Sequence, residues 1–239
     1  HRGKKNLNDY CDENDIRVGK GNADGISISI ELESMGRSTS ARAYFVKNKF
    51  LPTYDSTVDI EYKSPIYTSE LPLAKIVGAI EYMNDSHNYD FSVNNENCGI
   101  HTHYGFIDNH YDFRNLYEHY ENLFKPLNDM IKNMSVEKRE EIFGRDFGGH
   151  RSYTETCFEH GDWLQIKDEC LEFRISRYRN ATQYSHLLML YKEFCLVIDK
   201  IFLANPCDFT ARKTANKMVE LLNKHAQGKA TYQRKERNQ

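Results

Sequence analysis

The stretch Ile26-Ser27-Ile28-Ser29-Ile30-Glu31-Leu32-Glu33 places an apolar side chain at every second position and a polar one at each position between. Period-two alternation is the signature of a half-buried β-strand. Side chains two apart on a strand share a face, so Glu31 and Glu33 are expected to project side by side, about 7 Å apart. A chain with this segment is committed to a sheet that buries one face and leaves the other polar. For one strand alone, a solvated face is the commoner outcome. Three later segments repeat the pattern. In Val58–Lys63, Asp59, Glu61 and Lys63 share a face; in Ile100-His101-Thr102-His103 the two histidines do; in Leu171–Ser176, Glu172 and Arg174 do.

Around these segments the chain reads in order. Residues 1–25 are polar and turn-rich and lead into the first strand. Residues 42–48 read as a second strand, followed by a turn around Pro52; residues 58–63 read as a third strand, stopped by Ser64-Pro65. A helix is expected from Ser69 to Ile80, with Ser69 as N-cap. Residues 98–105 form a short strand. A long helical pattern from Phe113 to Ile131 should be kinked or split by Pro126. Ser135 can cap a short helix that ends before Gly144. Gly144 to Thr154 reads as a loop. A strand pair is expected near 156–166 and 170–176, an amphipathic helix over 181–203, and a last helix from Asp208 or Thr210 to about Ala226. The tail 227–239 lacks apolar periodicity and reads as disordered. Strands come first, and helices and strands then mix without regular alternation. This predicts an α+β fold for one domain over 26–226: a mainly antiparallel sheet with helices on one face.

Composition narrows the function. The formal net charge of -3 argues against a general nucleic-acid surface, which needs a basic face. No two of the 6 cysteines are spaced as C-x-x-C, and a cytoplasmic, reducing setting is expected. No signal peptide is readable. The most apolar stretch, 187–204, is broken by Lys192, Glu193, Asp199 and Lys200, so no membrane span is expected. Neither a P-loop nor a kinase motif is present.

The helices need the sheet's apolar face, so the opposite face should gather carboxylates, two imidazoles and cations. Stacked carboxylates without counter-ions repel one another and raise each other's pKa. Divalent cations resolve this, and the oxygen-rich donor set suits Mg²⁺ or Mn²⁺ better than zinc. Mg²⁺ commonly keeps waters and holds substrate phosphates. Arg174, Lys63 and Arg151 are candidates to clamp those phosphates.

Ile30-Glu31-Leu32-Glu33, Asp55-Ser56, Ile60-Glu61-Tyr62-Lys63-Ser64-Pro65, Cys98-Gly99-Ile100-His101-Thr102-His103, Arg151 with Tyr153, and Leu171-Glu172-Phe173-Arg174 follow one another in an order that resembles the amidoligase family. These are carboxylate–amine ligases with the glutamine-synthetase and glutamate–cysteine-ligase fold. The resemblance spans about residues 26–205, and the His-x-His and Glu-Phe-Arg segments are its most specific parts. It implies a curved antiparallel sheet carrying Mg²⁺ and ATP. It further implies Glu31, Glu33, Asp55, Glu61, His101 and Glu172 as metal ligands, with His103, Arg151 and Arg174, and by position Lys63, on the ATP phosphates or the acyl-phosphate. The family's Asp-Ser element has a glycine between its two residues, absent here, so Asp59 stands as the alternative to Asp55. The implied activity joins a small-molecule or peptide carboxylate to an amine through an acyl-phosphate. Two rivals remain: a zinc hydrolase built on His101, His103 and Glu172, and a non-catalytic scaffold that keeps the sheet and uses its long helices as a partner surface.

Overall fold

In the computed structural model the described residues are 25–36, 38–54, 56, 58–67, 78–79, 82, 98–106, 114–144, 163–167, 170–176 and 181–236. The elements run β1 (Ile26–Ser34), α1 (Thr39–Lys47), β2 (Leu51–Thr53), β3 (Ile60–Lys63), β4 (Ile100–Phe106), α2 (Arg114–Glu118), α3 (Tyr120–Leu123), α4 (Lys125–Asn133), α5 (Val136–Phe143), β5 (Leu164–Ile166), β6 (Cys170–Ser176), α6 (Ala181–Val197) and α7 (Asp208–Glu236). The α+β class holds: all six strands form one sheet in the order β2-β3-β1-β4-β6-β5, and every pairing is antiparallel.

β1 lies inside the sheet because both its edges are used. Glu31 pairs with Lys63 on one side and with His101 on the other. Its apolar face is used as well: Ile30 and Leu32 are completely buried, and Ile28 partly so. At the β3 end the backbone N–H of Ile30 donates to Ser64 Oγ (2.9 Å), and Ser64 Oγ donates to the Pro65 carbonyl. Ser64 thus carries the ladder with side chain and backbone up to Pro65, beyond which Tyr67 pairs with Ile28. Ser64→Ala is expected to cost about 1–3 kcal/mol, because a buried N–H loses its acceptor; a urea unfolding midpoint unchanged from the parent would refute this.

The helices lie over the apolar face. α6 packs on it directly. Phe173 of β6 stacks on Tyr191 at 4.1 Å; Tyr104 OH donates to the Leu188 carbonyl; the Thr102 and Tyr184 hydroxyls share a hydrogen bond. α7 covers α6 from outside, which is why α6 buries Leu187, Leu188, Leu190, Tyr191, Phe194 and Cys195 around most of its circumference. The sequence reads 181–203 as one amphipathic helix. In the structure its last turn, Ile198–Leu203, widens to π-helical spacing. α4 is tied to the sheet edge by Asn128, which accepts from Trp163 Nε1 and donates to Tyr120 OH.

Several expectations need correction. Residues 42–48 are not a strand but most of α1: Ser38 Oγ accepts from the Ala41 N–H as N-cap, and Ala41 and Phe45, one turn apart, face the core. Pro52 is not in a turn but in β2, an edge strand, where a missing N–H is tolerated. The split expected at Pro126 is present, with Pro126 in the first turn of α4 after a break at Phe124, but a second break at His119 divides the stretch before it as well. α7 spans Asp208–Glu236, longer than the last helix expected to end near Ala226. The expectation for α5 holds closely, with Ser135 as its N-cap and Gly144 in the left-handed conformation at its end (φ 81°). The expected Ser69 helix and the loop after Gly144 lie largely outside the described residues. Among the described residues no helix is long and apolar enough to cross a membrane, and Cys98, Cys170, Cys195 and Cys207 form no disulfide with one another.

Candidate metal and anion site

Because the apolar side chains of β1, β3, β4 and β6 turn to the helices, their polar partners meet on the other face. Cross-strand register sets which of them meet. Glu33 lies opposite Glu61, Ser29 opposite His103, and His103 opposite Glu172. A bulge between β4 and β6 shifts the register between Ile100 and Thr102, so that Ser176 turns to the helix side and bonds Tyr191 OH while Glu172 and Arg174 stay on the site face.

The resulting cluster is tight. Lys63 Nζ lies 2.6 Å from Glu31 Oε1 and 3.2 Å from Glu61 Oε2. His101 Nδ1 is 3.4 Å from both Glu31 Oε2 and Glu172 Oε1, and its Nε2 is 3.6 Å from Glu33 Oε1. His103 Nε2 is 3.5 Å from Glu31 Oε1, and Cys170 Sγ is 3.6 Å from its Nδ1. Glu172, 1% exposed, pairs with Arg174 Nη1 at 2.5 Å and Lys167 Nζ at 2.9 Å. Glu33 accepts the Gly99 N–H at 2.8 Å, and a Cβ at Gly99 would press on that same carboxylate at 3.3 Å. Thr53 Oγ1 donates to Glu61.

The sheet therefore brings together Glu31, Glu33, Glu61, Lys63, His101, His103, Glu172 and Arg174. Asp55 and Arg151 lie outside the described residues. Asp59 does not join the cluster: it precedes β3, and its Oδ2 accepts the Gly36 N–H at 2.6 Å, a turn contact. Three nearby residues escaped the sequence reading. Cys170 lies on the parity of Glu172 and Arg174, and Lys167 on that of Gln165 just past β5, so extending the alternation by two positions would have found both. Thr53 gives no such signal.

The cations expected on this face sit on the acids: Lys63 on Glu31 and Glu61, and Arg174 on Glu172, joined there by Lys167. Burial works against the charge of Glu31, but hydrogen bonds from His101 and His103 and the charges of His103 and Lys63 outweigh it and hold that carboxyl well below its usual range. In Glu172 burial is likewise outweighed, here by the charges of His103, Arg174 and His101. Glu33 goes the other way: burial lifts it, and His101 and the Gly99 N–H offset this only in part. Lys63 is raised, the attraction of Glu31 and Glu61 exceeding the effect of burial. Burial would lower His103, but Cys170 and Glu31 push it up to about 10.

These shifts set a pH dependence. A histidine whose folded pKa is raised contributes stability that is complete below its unfolded value near 6.5 and is lost as pH rises toward about 10. Glu31 and Glu172, being lowered, contribute stability that is lost as pH falls through their folded values. In EDTA the denaturation midpoint should fall as pH rises from about 6.5 toward 10, and His103→Asn should flatten that limb. An equally steep limb in the variant would show that another group titrates.

Three of these side chains could hold a cation together. One donor atom each from Glu31, His103 and Glu172 lies within 4.8 Å of the others, and the buried His103 Nε2 meets Glu31 Oε1 only at 3.5 Å, a long contact. Two carboxylates and one imidazole fit a hard or borderline divalent ion such as Mg²⁺ or Mn²⁺. Neither the known family models nor the curated proteins contain a match to this chain.

Proposed function

We propose that the chain is an ATP- and Mg²⁺-dependent carboxylate–amine ligase that makes an amide or isopeptide bond between amino acids or peptides. The observation that carries this reading is the convergence of Glu31, His103 and Glu172, from three strands distant in sequence, on one face with Lys63, Lys167 and Arg174 around them. The resemblance to amidoligases supports the same reaction.

In this reading Glu31, His103 and Glu172 hold the divalent cation, His103 taking the ligand place that the resemblance implies for His101, with Glu33 and Glu61 as further carboxylate donors. Once bound, Mg²⁺ would neutralise phosphate charge and favour in-line attack. Arg174 stabilises the transferring phosphoryl group by charge, and Arg151 is assigned the same task from the resemblance alone. A carboxylate oxygen of the acid attacks the γ-phosphorus and ADP leaves; the amine nitrogen then attacks the acyl carbon, loses a proton, and phosphate leaves. No cysteine or serine nucleophile is needed. Cys98 is wholly buried, in keeping with packing rather than catalysis.

The test is ADP release in the presence of candidate amino acids and peptides, repeated with Glu31→Gln and Glu172→Gln. Variants that release ADP as fast as the parent would sink the metal roles. The placement of both imidazoles within 3.5 Å of Glu31 oxygens favours one second reading, a zinc hydrolase. Stoichiometric zinc in the purified protein, with no binding of ATP, would select it.

A further inference from the structure

We infer that Lys63 is an exchangeable counter-ion: its ammonium holds the oxygens of Glu31 and Glu61 that a divalent cation would claim, and cation binding drives it off them. This rests on the metal reading of the site.

The geometry is specific. Glu31 and Lys63 are cross-strand partners on β1 and β3, and Glu61 is two residues from Lys63 on the same face. One ammonium therefore bridges acids from two strands, at 2.6 and 3.2 Å. Glu31 Oε1, which receives Lys63, is also the oxygen that faces His103 Nε2. A divalent ion bound by that oxygen at a ligand distance of about 2.1 Å would stand against the ammonium at close range, and two cations cannot share it without strong repulsion. The lysine is the partner that can leave. Its side chain is 23% exposed, and it carries a compact, readily hydrated charge on a flexible stem. Arg174 is more deeply set on Glu172 at 2.5 Å. Cation binding and the Lys63 ion pair are then mutually exclusive and linked reciprocally. The released ammonium becomes an anion-binding group beside the cation, so the site gains affinity for phosphate oxygens only when the cation is in place.

The test uses Mn²⁺ as the probe, with free Mn²⁺ followed by electron paramagnetic resonance in the whole chain and in Lys63→Met. The variant should bind Mn²⁺ more tightly by on the order of tenfold, toward the lower end of what close charge pairs contribute. A second measurement needs no variant: acetylation of Lys63 by a water-soluble acylating reagent, read by mass spectrometry, should speed up several-fold on adding Mn²⁺, while that of exposed Lys213 stays constant. Equal Mn²⁺ affinity in both proteins, with Lys63 acetylation unmoved, would overturn the exchange and leave the metal site standing. Failure of both proteins to bind Mn²⁺ would overturn the metal reading and the exchange together. If Lys63→Met does not fold, the acetylation result decides.

Discussion

Replacing Glu172 with glutamine should cost the protein about 3 kcal/mol measured in EDTA and abolish any stabilisation by added Mn²⁺. The first figure follows from burial. Glu172 is almost wholly inaccessible and balances Arg174, Lys167 and the His101 ring. Removing one partner of a buried pair typically costs about 3–5 kcal/mol, because the other charge stays behind. Lys167, 44% exposed, can turn to water, which keeps the loss toward the lower end. The second figure follows from ligand chemistry: a neutral amide replaces an anionic donor, and affinity should fall by at least about 100-fold, beyond the 10–100-fold that losing a mere supporting partner costs. Saturating Mn²⁺ stabilises only a protein that binds it. The double variant Glu172→Leu/Arg174→Met separates the two effects. It removes both charges, so stability should largely return while Mn²⁺ binding does not. A Glu172→Gln protein that Mn²⁺ still stabilises as much as the parent would remove Glu172 from the cation site.

That pairing was only half legible in the sequence. Alternation put Glu31, Glu33, Glu61, Lys63, His101, His103, Glu172 and Arg174 on one face, because parity along a strand is a local property that survives without tertiary information. Who meets whom is not local. The salt bridge of Lys63 to Glu31 depends on the β1–β3 register, and the meeting of His103 with Glu172 depends on β4 and β6, 69 residues apart by their numbers (172 − 103). Hence alternation placed Lys63 and Arg174 among the acids without saying which acid of another strand each would meet. α1 failed for a different reason. Tyr44-Phe45-Val46 has strand propensity, yet one capping bond from Ser38 and the one-turn spacing of Ala41 and Phe45 outweigh it. Asp59 failed because β3 starts one residue after it, and a strand boundary is the least local-looking feature of a short alternating run.

Phe173→Ala should be the most destabilising single truncation in the sheet, at about 3–5 kcal/mol, in line with large-to-small aromatic changes in close-packed cores. Phe173 is 1% exposed. It stacks on Tyr191 of α6 with centroids 4.1 Å apart and planes 12° from parallel, and it meets Tyr104, Trp163 and Phe194 at 6.0–6.4 Å. One side chain thus joins β4, the β5 edge and α6. Its neighbours in sequence are Glu172 and Arg174, which point the other way, so the packing of Phe173 fixes the pleat that aims both charged groups. The loss should therefore reach the far face: Phe173→Ala should weaken Mn²⁺ binding although it touches no donor, whereas Phe173→Leu, which keeps much of the volume, should lose less of both. A double-mutant cycle with Tyr191→Leu measures the stacking itself, expected at about 0.5–1.5 kcal/mol beyond area burial. If Phe173→Ala lowered stability by several kcal/mol while leaving Mn²⁺ affinity at the parental level, the site would be held by its own ion pairs, and the two faces of β6 would be energetically independent.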